Sequence, residues 1–391
     1  MDSQESYNTD YVLITDDEAL NKCCESWQSH THLALDTEFM RTDSFYPKVA
    51  LFQVNDGKKN YLIDPLSISD WVKFQALMLA PEITKIFHSC SEDILVFIYQ
   101  FGILPSPIFD TQVANAFLNQ GFALSYQNMI SEQFGINLPK GETRSNWLQR
   151  PLSEQQLDYA ALDVAYLPEI YSRQKEKLAG MNKLAWVEED CQRLLSNYQE
   201  ELEQDFSQTY RNISAAWQLD EKQLYILKAL AEWREKRARQ RDKPRNWIIK
   251  DKELVSIAKI IPKNIAQLGQ IEGLNANFIH YEGLALLEVM QKKLNQANAC
   301  LPKQIARPLS NAQKKEFKKA QLLVEKKAVE LNLPTEILGR KRTLLSLYQS
   351  ILELKDTTSN EPIDVGKIRL PDELQGWRNE ILVKELIELM Q

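Results

Sequence analysis

Short apolar runs alternate with stretches of helical period over residues 10–175, and this alternation is typical of an α/β domain. Asp56-Gly57 lies between two apolar runs and is a hairpin signal. The sheet is therefore predicted to begin with antiparallel pairing, followed by strands that helices connect. The predicted strands are Tyr11–Thr15, Leu33–Glu38, Ala50–Asn55, Asn60–Ile63 and Lys85–Phe87.

The strand pattern ends at about Gly180, and the rest of the chain is helical in period and rich in Lys, Glu, Gln and Leu. A boundary is expected near Asn197–Asn212, and Pro302–Pro308 has the composition of a linker. A faint repeat also appears, because Lys243–Ile249 is echoed by Leu333–Leu338 about ninety residues later. We predict three domains, over residues 8–195, 212–294 and 305–391.

Two acids one residue apart interrupt the second predicted strand. Strand periodicity places Asp36 and Glu38 on the same face, where their charges repel. A divalent cation is the usual solution, because hard oxygen ligands suit magnesium or manganese. The alternative is an acidic strand end that faces water, and the two acids alone do not decide between them.

A third acid lies where the last predicted strand passes into a helix. Ser89 and Glu92 have the spacing of a capping box, so Glu92 is explained as a cap. Asp93 is not explained in that way. It is either a functional carboxylate or a first-turn acid that complements the helix dipole.

The segment 151–167 predicts a helix that begins with a second capping box, Ser153 with Gln156. Tyr159 and Asp163 are four residues apart and so lie one above the other on one helix face. Asp158 points elsewhere and is expected to be solvated. Pro168 should end or kink the helix.

Composition limits the possible number of domains, the kinds of cysteine site and the cellular location. The 391 residues, 44% of them hydrophobic, suffice for two or three domains with cores. Five scattered cysteines without a C-x-x-C pair suggest neither a disulfide framework nor a zinc site. The polar N-terminus and the lack of a long apolar stretch predict a cytoplasmic protein without a membrane span.

Local clusters of charged residues indicate more about binding to a polyanion than the net charge of −7 does. Residues 233–247 hold seven Lys or Arg against two acids, with a tryptophan at each end. Such a run can follow a phosphate backbone. The alternative is a solvated helix face with Trp233 and Trp247 in the core. A weaker basic run follows at Lys314, Lys315, Lys318, Lys319, Lys326 and Lys327.

Together these motifs carry a family resemblance. Asp36-x-Glu38, Asp93 and Tyr159-x-x-x-Asp163 are similar to the three exonuclease motifs of the DEDD superfamily, and the tyrosine is typical of its DEDDy branch. Further segments resemble the bacterial ribonuclease D family, namely Phe39–Thr42, Tyr46-Pro47, Leu62–Leu66, Phe109–Gln112 and Trp147–Leu152. No Walker A pattern occurs, which argues against a RecQ-type helicase, the other context of HRDC (helicase and RNase D C-terminal) domains.

The resemblance implies an RNase H-like exonuclease domain, with a five-stranded mixed sheet and flanking helices, followed by two all-α HRDC domains. It also implies that the four acids bind two Mg²⁺ ions, with Mn²⁺ able to substitute. The expected ligands are Asp36, Glu38, Asp93 and Asp163. Tyr159, whose ordinary pKa is about 10, would orient the attacking water rather than deprotonate it. Its alternative role is aromatic packing.

RNA contacts are predicted less firmly. His88 could touch substrate, although a strand-end histidine with satisfied hydrogen bonds explains it as well. Arg144, Trp147 and Arg150 could grip phosphate or stack on a base, or Trp147 could be core and Arg150 could pair with a carboxylate. Asp110 is interpreted as a helix N-cap. In the basic run, the expected RNA contacts are Arg237, Arg241 and Arg245.

The resemblance implies a 3′–5′ exoribonuclease that trims 3′ extensions of tRNA precursors and other structured RNAs. The HRDC domains would hold the RNA body while its single-stranded 3′ tail enters the site, and we expect a monomer. One alternative is a DNA exonuclease, since the metal chemistry does not distinguish sugars. Another is a non-catalytic RNA-binding protein, although a dead scaffold would have no chemical reason to keep all five residues.

Overall fold

The computed structural model describes residues 9–139, 141–142, 145–296, 300–357 and 365–390. Contacts divide the described chain into two compact units. The first contains the described residues of Met1–Met40, Lys48–Gln199 and Leu309–Gln391, and the second those of Arg41–Pro47 and Glu200–Pro308. The three predicted domains therefore do not correspond one to one with these units, and their boundaries stay a prediction.

A mixed sheet of six strands forms the centre of the first unit, in the order β1-β4-β3-β2-β5-β6. Strand β2 pairs antiparallel with β3, which pairs antiparallel with β4, and the remaining pairs are parallel. The expected count of five strands was wrong, because β6 has only three residues and is too short to give a periodic pattern. The strands are β1 Tyr11–Ile14, β2 His32–Met40, β3 Lys48–Asn55, β4 Asn60–Ile63, β5 Thr84–Phe87 and β6 Ile108–Asp110.

The predicted hairpin joins β3 to β4. Gly57 has φ +87°, a left-handed conformation that favours glycine. The Asp56 carboxylate accepts hydrogen bonds from the backbone N–H groups of Lys58 and Lys59, both at 2.9 Å. This turn fixes the register between β3 and β4.

Eight helices accompany the sheet in the described residues from 17 to 196, and the sixth covers part of one sheet face. It packs on β2, β3 and β4, and its Ala160 lies in a buried cluster with Leu51, Leu62 and Trp147. The helices are α1 Asp17–Trp27, α2 Val72–Leu79, α3 Ser91–Phe101, α4 Thr111–Phe117, α5 Tyr126–Phe134, α6 Glu154–Ala165, α7 Leu167–Gly180 and α8 Leu184–Ser196.

The second unit is helical, as its period predicts. Its long helices α10 and α14 pack against each other, and α12 packs on α10. Its 3₁₀ turns are Thr209–Asn212 and Ala216–Gln218. The helices from Gln199 onward are α9 Gln199–Glu203, α10 Glu221–Arg241, α11 Arg245–Ile248, α12 Asp251–Ile260, α13 Ile265–Leu268 and α14 Ala276–Leu294.

The C-terminal segment packs with the nuclease residues in the first unit. Its helices are α15 Asn311–Leu331, α16 Thr335–Leu338, α17 Lys341–Thr357 and α18 Lys384–Met390, with 3₁₀ turns at Val365–Lys367 and Asp372–Leu374 and a π-helical turn at Asn379–Val383.

The faint sequence repeat corresponds to a repeated structural motif. Helices α10 and α15 each have 21 residues and end at a left-handed residue with φ +48°, Asp242 and Asn332 respectively. Pro244 and Pro334 then precede the four-residue helices α11 and α16. The predicted echo is confirmed for this helix–turn–helix unit.

In the part of the chain that the structure describes, no helix combines the length and the apolar character that crossing a membrane requires.

Candidate active site

Strand β2 presents Asp36 and Glu38 on the sheet face that α6 covers. Asp36 pairs with Gln53 of β3, and Gln53 pairs with Leu62 of β4. Directly paired antiparallel residues project to the same face, and Leu62 packs against Ala160 of α6. Asp36 and Glu38 are largely but not completely buried on this face.

Asp93 lies in the first turn of α3, where it is buried. The Thr37 hydroxyl, from the residue between the two strand acids, donates a 2.5 Å hydrogen bond to Asp93 Oδ1. This bond fixes the third acid beside the strand that carries the first two.

The predicted capping box at Ser89 was wrong. Helix α3 begins at Ser91, and Ser89 has φ +61°, outside the geometry of an N-cap. The backbone N–H groups of Ser89 and Cys90 donate instead to the Asp110 carboxylate, at 3.0 and 2.9 Å. Asp110 is also the N-cap of α4, as predicted. Glu92 is exposed in the first turn of α3.

Helix α6 brings the last two residues to the site. The capping box of Ser153 and Gln156 is confirmed. The Tyr159 hydroxyl bonds to the Asp163 carboxylate, so the two residues meet as their spacing predicts. Asp158 is exposed, and Pro168 lies in the first turn of α7 directly after α6 ends.

The electrostatics of the four acids show that they share one site. Burial is the main cause of each raised pKa, and repulsion from the other acids adds to it for Asp36, Glu38 and Asp163. The pKa of Glu38 rises to about 9. The hydrogen bond from Thr37 opposes the rise in the pKa of Asp93, and the bond from Tyr159 does so for Asp163. Burial, reinforced by Asp163, also raises the pKa of Tyr159, so this hydroxyl stays neutral.

This donor set fits a divalent cation. Four carboxylates are hard oxygen ligands, and positive charge would relieve their repulsion. Over the described residues, however, no three His, Cys, Asp or Glu side chains are already gathered as a metal site.

Gly141 leaves the space that the Tyr159 ring occupies. A Cβ atom at residue 141 would lie 1.9 Å from Tyr159 Cε2 and 2.6 Å from Cζ, the atom that carries the hydroxyl. The ring also lies 6.1 Å from that of Trp147. No side chain can therefore be added at residue 141 unless Tyr159 moves.

Gly141→Ala is expected to lower kcat by about 10- to 100-fold. The added methyl group would displace Tyr159, and a displacement of about 1 Å in an active site can lower the rate by that factor. Steady-state hydrolysis of a short RNA measures the effect. Gly180→Ala is the matched control, since no atom lies within 4 Å of a Cβ at that position. Unchanged kcat in Gly141→Ala would show that the position of Tyr159 does not limit turnover.

Two residues of the softer predictions near the site, His88 and Arg150, have partners within the protein, and their contact with substrate stays a prediction. His88 bonds to Thr111 Oγ1 at 2.9 Å and Leu124 O at 3.1 Å. The prediction that Trp147 stacks on a base was wrong, because this residue is only 1% exposed. Arg150 forms a bidentate ion pair with Asp64, with both distances 2.7 Å. Arg144 lies outside the described residues.

The arginines of the basic run are already paired. Arg237 and Arg241 both contact the buried Glu282, at 3.0 and 2.5 Å, and Arg245 pairs with the buried Glu235. Buried carboxylates require such partners, which explains much of the run without RNA. RNA contact by these three arginines stays a prediction.

The tryptophans of the run differ from each other. Trp233 is partly buried, but Trp247 is 62% exposed, so the interpretation that both are core was wrong for Trp247. Lys243 Nζ lies 5.5 Å from the centre of the Trp247 ring. An exposed indole beside a cation is a suitable surface for stacking a base.

Comparison with known proteins agrees with the geometry. A 3′–5′ exonuclease family model matches residues 11–179, and an HRDC domain model matches residues 223–290. The chain is 36% identical over 378 residues to ribonuclease D of Pseudomonas paraeruginosa, which covers 97% of each chain. Its identity to ribonuclease D of Escherichia coli is 34% over 386 residues, covering 97% and 98% of the two chains. The chain belongs to the ribonuclease D family.

The crystal structure of Escherichia coli RNase D matches with a TM-score of 0.87 and 33% identity, over 98% of this chain and 99% of that one. The fold of the exonuclease domain is therefore RNase H-like, as the sequence resemblance implies. As a ribonuclease D family member the enzyme is a 3′–5′ exoribonuclease, a hydrolase that acts on RNA and depends on divalent metal ions.

Thr37 and Gly141 are two residues of the site that sequence patterns did not identify. Thr37 alternates with the two acids along β2, and its hydroxyl is the only hint of a role in holding Asp93. Gly141 gave no signal, because its neighbour Tyr159 is distant in the sequence.

Proposed function

We propose that this enzyme trims 3′ extensions from tRNA precursors and other structured RNAs, as a monomer, and releases nucleoside 5′-monophosphates. The observation that carries the proposal is the meeting of four carboxylates with Tyr159 in a chain that resembles ribonuclease D over nearly its whole length. Escherichia coli RNase D is an exoribonuclease involved in structured RNA processing.

We further propose that Asp36, Glu38, Asp93 and Asp163 hold two Mg²⁺ ions, and that Mn²⁺ can replace them. When bound, two such ions activate the attacking water and stabilise the leaving 3′ oxygen. The Thr37 hydroxyl keeps Asp93 beside β2. The neutral Tyr159 hydroxyl orients the attacking water, while Gly141 leaves room for its ring.

The HRDC domain would bind the folded RNA body. We propose 212–294 and 305–391 as the limits of the two helical domains and 8–195 as those of the nuclease domain. Trp247 is exposed and can stack on a base, whereas Arg237, Arg241 and Arg245 already donate hydrogen bonds or form ion pairs with buried carboxylates. Trp247 is therefore the stronger candidate for RNA contact.

The test uses a 5′-labelled tRNA precursor with a single-stranded 3′ extension, incubated with the full-length enzyme in Mg²⁺ or in EDTA. We expect a ladder that shortens from the 3′ end and stops near the folded body, in Mg²⁺ only. A matched DNA oligonucleotide with the sequence of the extension should be cut much more slowly. Equal rates on DNA would favour the DNA exonuclease alternative, and tight binding without shortening would favour a non-catalytic RNA-binding protein.

A further inference from the structure

Gln53 is a polar residue in the middle of β3, whose sequence is otherwise largely apolar. Its side chain is completely buried. Neither Nε2 nor Oε1 has a hydrogen-bond partner among the residues that the structure describes, and no other described residue has two such atoms. Because a buried amide without partners costs folding free energy, its presence here requires an explanation.

The position of Gln53 supplies one. It is paired directly with Asp36 across the β2–β3 ladder. Such pairs have Cβ atoms about 4.5–5.5 Å apart and point to the same face of the sheet. The unpaired amide therefore lies beside a carboxylate of the active site, on the face that α6 covers.

We propose that Gln53 is a positioning residue of the active site, whose Nε2–H group donates a hydrogen bond to the Asp36 carboxylate in the cation-loaded enzyme. This inference rests on the proposed binding of cations by the four acids. A carboxylate that ligates a metal keeps lone pairs for a second partner, and that partner fixes its orientation. An amide can fill this role without adding charge, whereas a lysine would compete with the cation.

Gln53→Met tests the proposal, because methionine has a similar length and neither donates nor accepts a strong hydrogen bond. In EDTA the variant is expected to be at least as stable as the wild type, since replacing an unpaired amide with an apolar group of similar shape is nearly neutral. The Kd for Mg²⁺, measured by titration calorimetry without RNA, is expected to rise about tenfold or more. The Mg²⁺-dependent increase in Tm should shrink accordingly.

Gln174→Met is the matched control, because Gln174 is a buried amide of α7 that bonds to the Thr111 carbonyl at 3.0 Å. It should lose stability in EDTA but bind Mg²⁺ as the wild type does. Wild-type Mg²⁺ affinity in Gln53→Met, together with lower stability in EDTA, would overturn the proposal and leave Gln53 as a core residue. If the wild-type enzyme itself bound no Mg²⁺, the proposed metal site would fail first.

Discussion

Asp36→Asn is expected to lower turnover by about 10³-fold or more while it stabilises the cation-free enzyme. The loss of activity follows because a metal ligand contributes several kcal/mol of charge stabilisation in the transition state, and each 1.4 kcal/mol is about tenfold in rate. The gain in stability follows from repulsion, since Asp36 lies among Asp93, Asp163 and Glu38, and its pKa is raised well above the ordinary value.

The increase in stability comes from removing a charge that the folded site disfavours. In the unfolded chain Asp36 is ionised at neutral pH, whereas the folded site disfavours that charge because of burial and three neighbouring acids. Ionisation therefore opposes folding as pH rises above the ordinary pKa of an aspartate. Asparagine carries no charge, so the free energy of unfolding in EDTA should increase by about 0.5–2 kcal/mol.

The measurements are the rate of RNA hydrolysis in Mg²⁺ and thermal unfolding in EDTA and in Mg²⁺. Asp158→Asn is the matched control, because it makes the same chemical change at an exposed aspartate. It should leave both quantities unchanged. An Asp36→Asn enzyme that is less stable than the wild type in EDTA would contradict the repulsion argument, even if activity were lost.

Local patterns were sufficient to predict that Asp36 and Glu38 share one strand face and that Tyr159 and Asp163 share one helix face. Side chains alternate along β2, so Asp36 and Glu38 lie on one face. The capping box marks the start of α6, and the four-residue spacing within that helix brings Tyr159 to Asp163. Both signals act within a few residues, where backbone geometry determines which side chains meet. For the same reason the predicted hairpin at Gly57 was confirmed.

Features that depend on distant partners could not be predicted. The arginines at 237 and 241 look like an RNA-binding surface until Glu282, more than forty residues away, is seen between them in the core. Gln53 gave only the hint of a polar residue in an apolar strand, because its relation to Asp36 depends on the register of two strands. Likewise, β6 is stabilised by pairing with β5 rather than by its own three residues.

The packing of the C-terminal segment in the first unit was also not predicted, and it rests on Asp190 of α8. Its carboxylate accepts hydrogen bonds from Arg378 Nη1 and Nη2 at 2.6 and 2.5 Å and from Trp377 Nε1 at 3.1 Å. The Trp377 ring stacks on that of Trp186, with centroids 4.5 Å apart and planes at 10°. Arg193, also on α8, shares the carboxylate at 2.9 Å.

Asp190→Ala is therefore expected to lower the free energy of unfolding by about 3–5 kcal/mol, because it leaves the guanidinium of Arg378 buried without its counter-charge. Urea unfolding followed by tryptophan fluorescence measures the loss, since Trp186 and Trp377 lie at this contact. Adding Arg378→Met should recover part of the stability, as an apolar group tolerates burial.

Glu188→Ala, at an exposed acid of the same helix, should change the stability by less than about 0.5 kcal/mol. If Asp190→Ala behaved like Glu188→Ala, the C-terminal segment would not depend on this contact, and its packing in the first unit would have to come from its other contacts, such as those of Asn332 with Lys183 and Asn119.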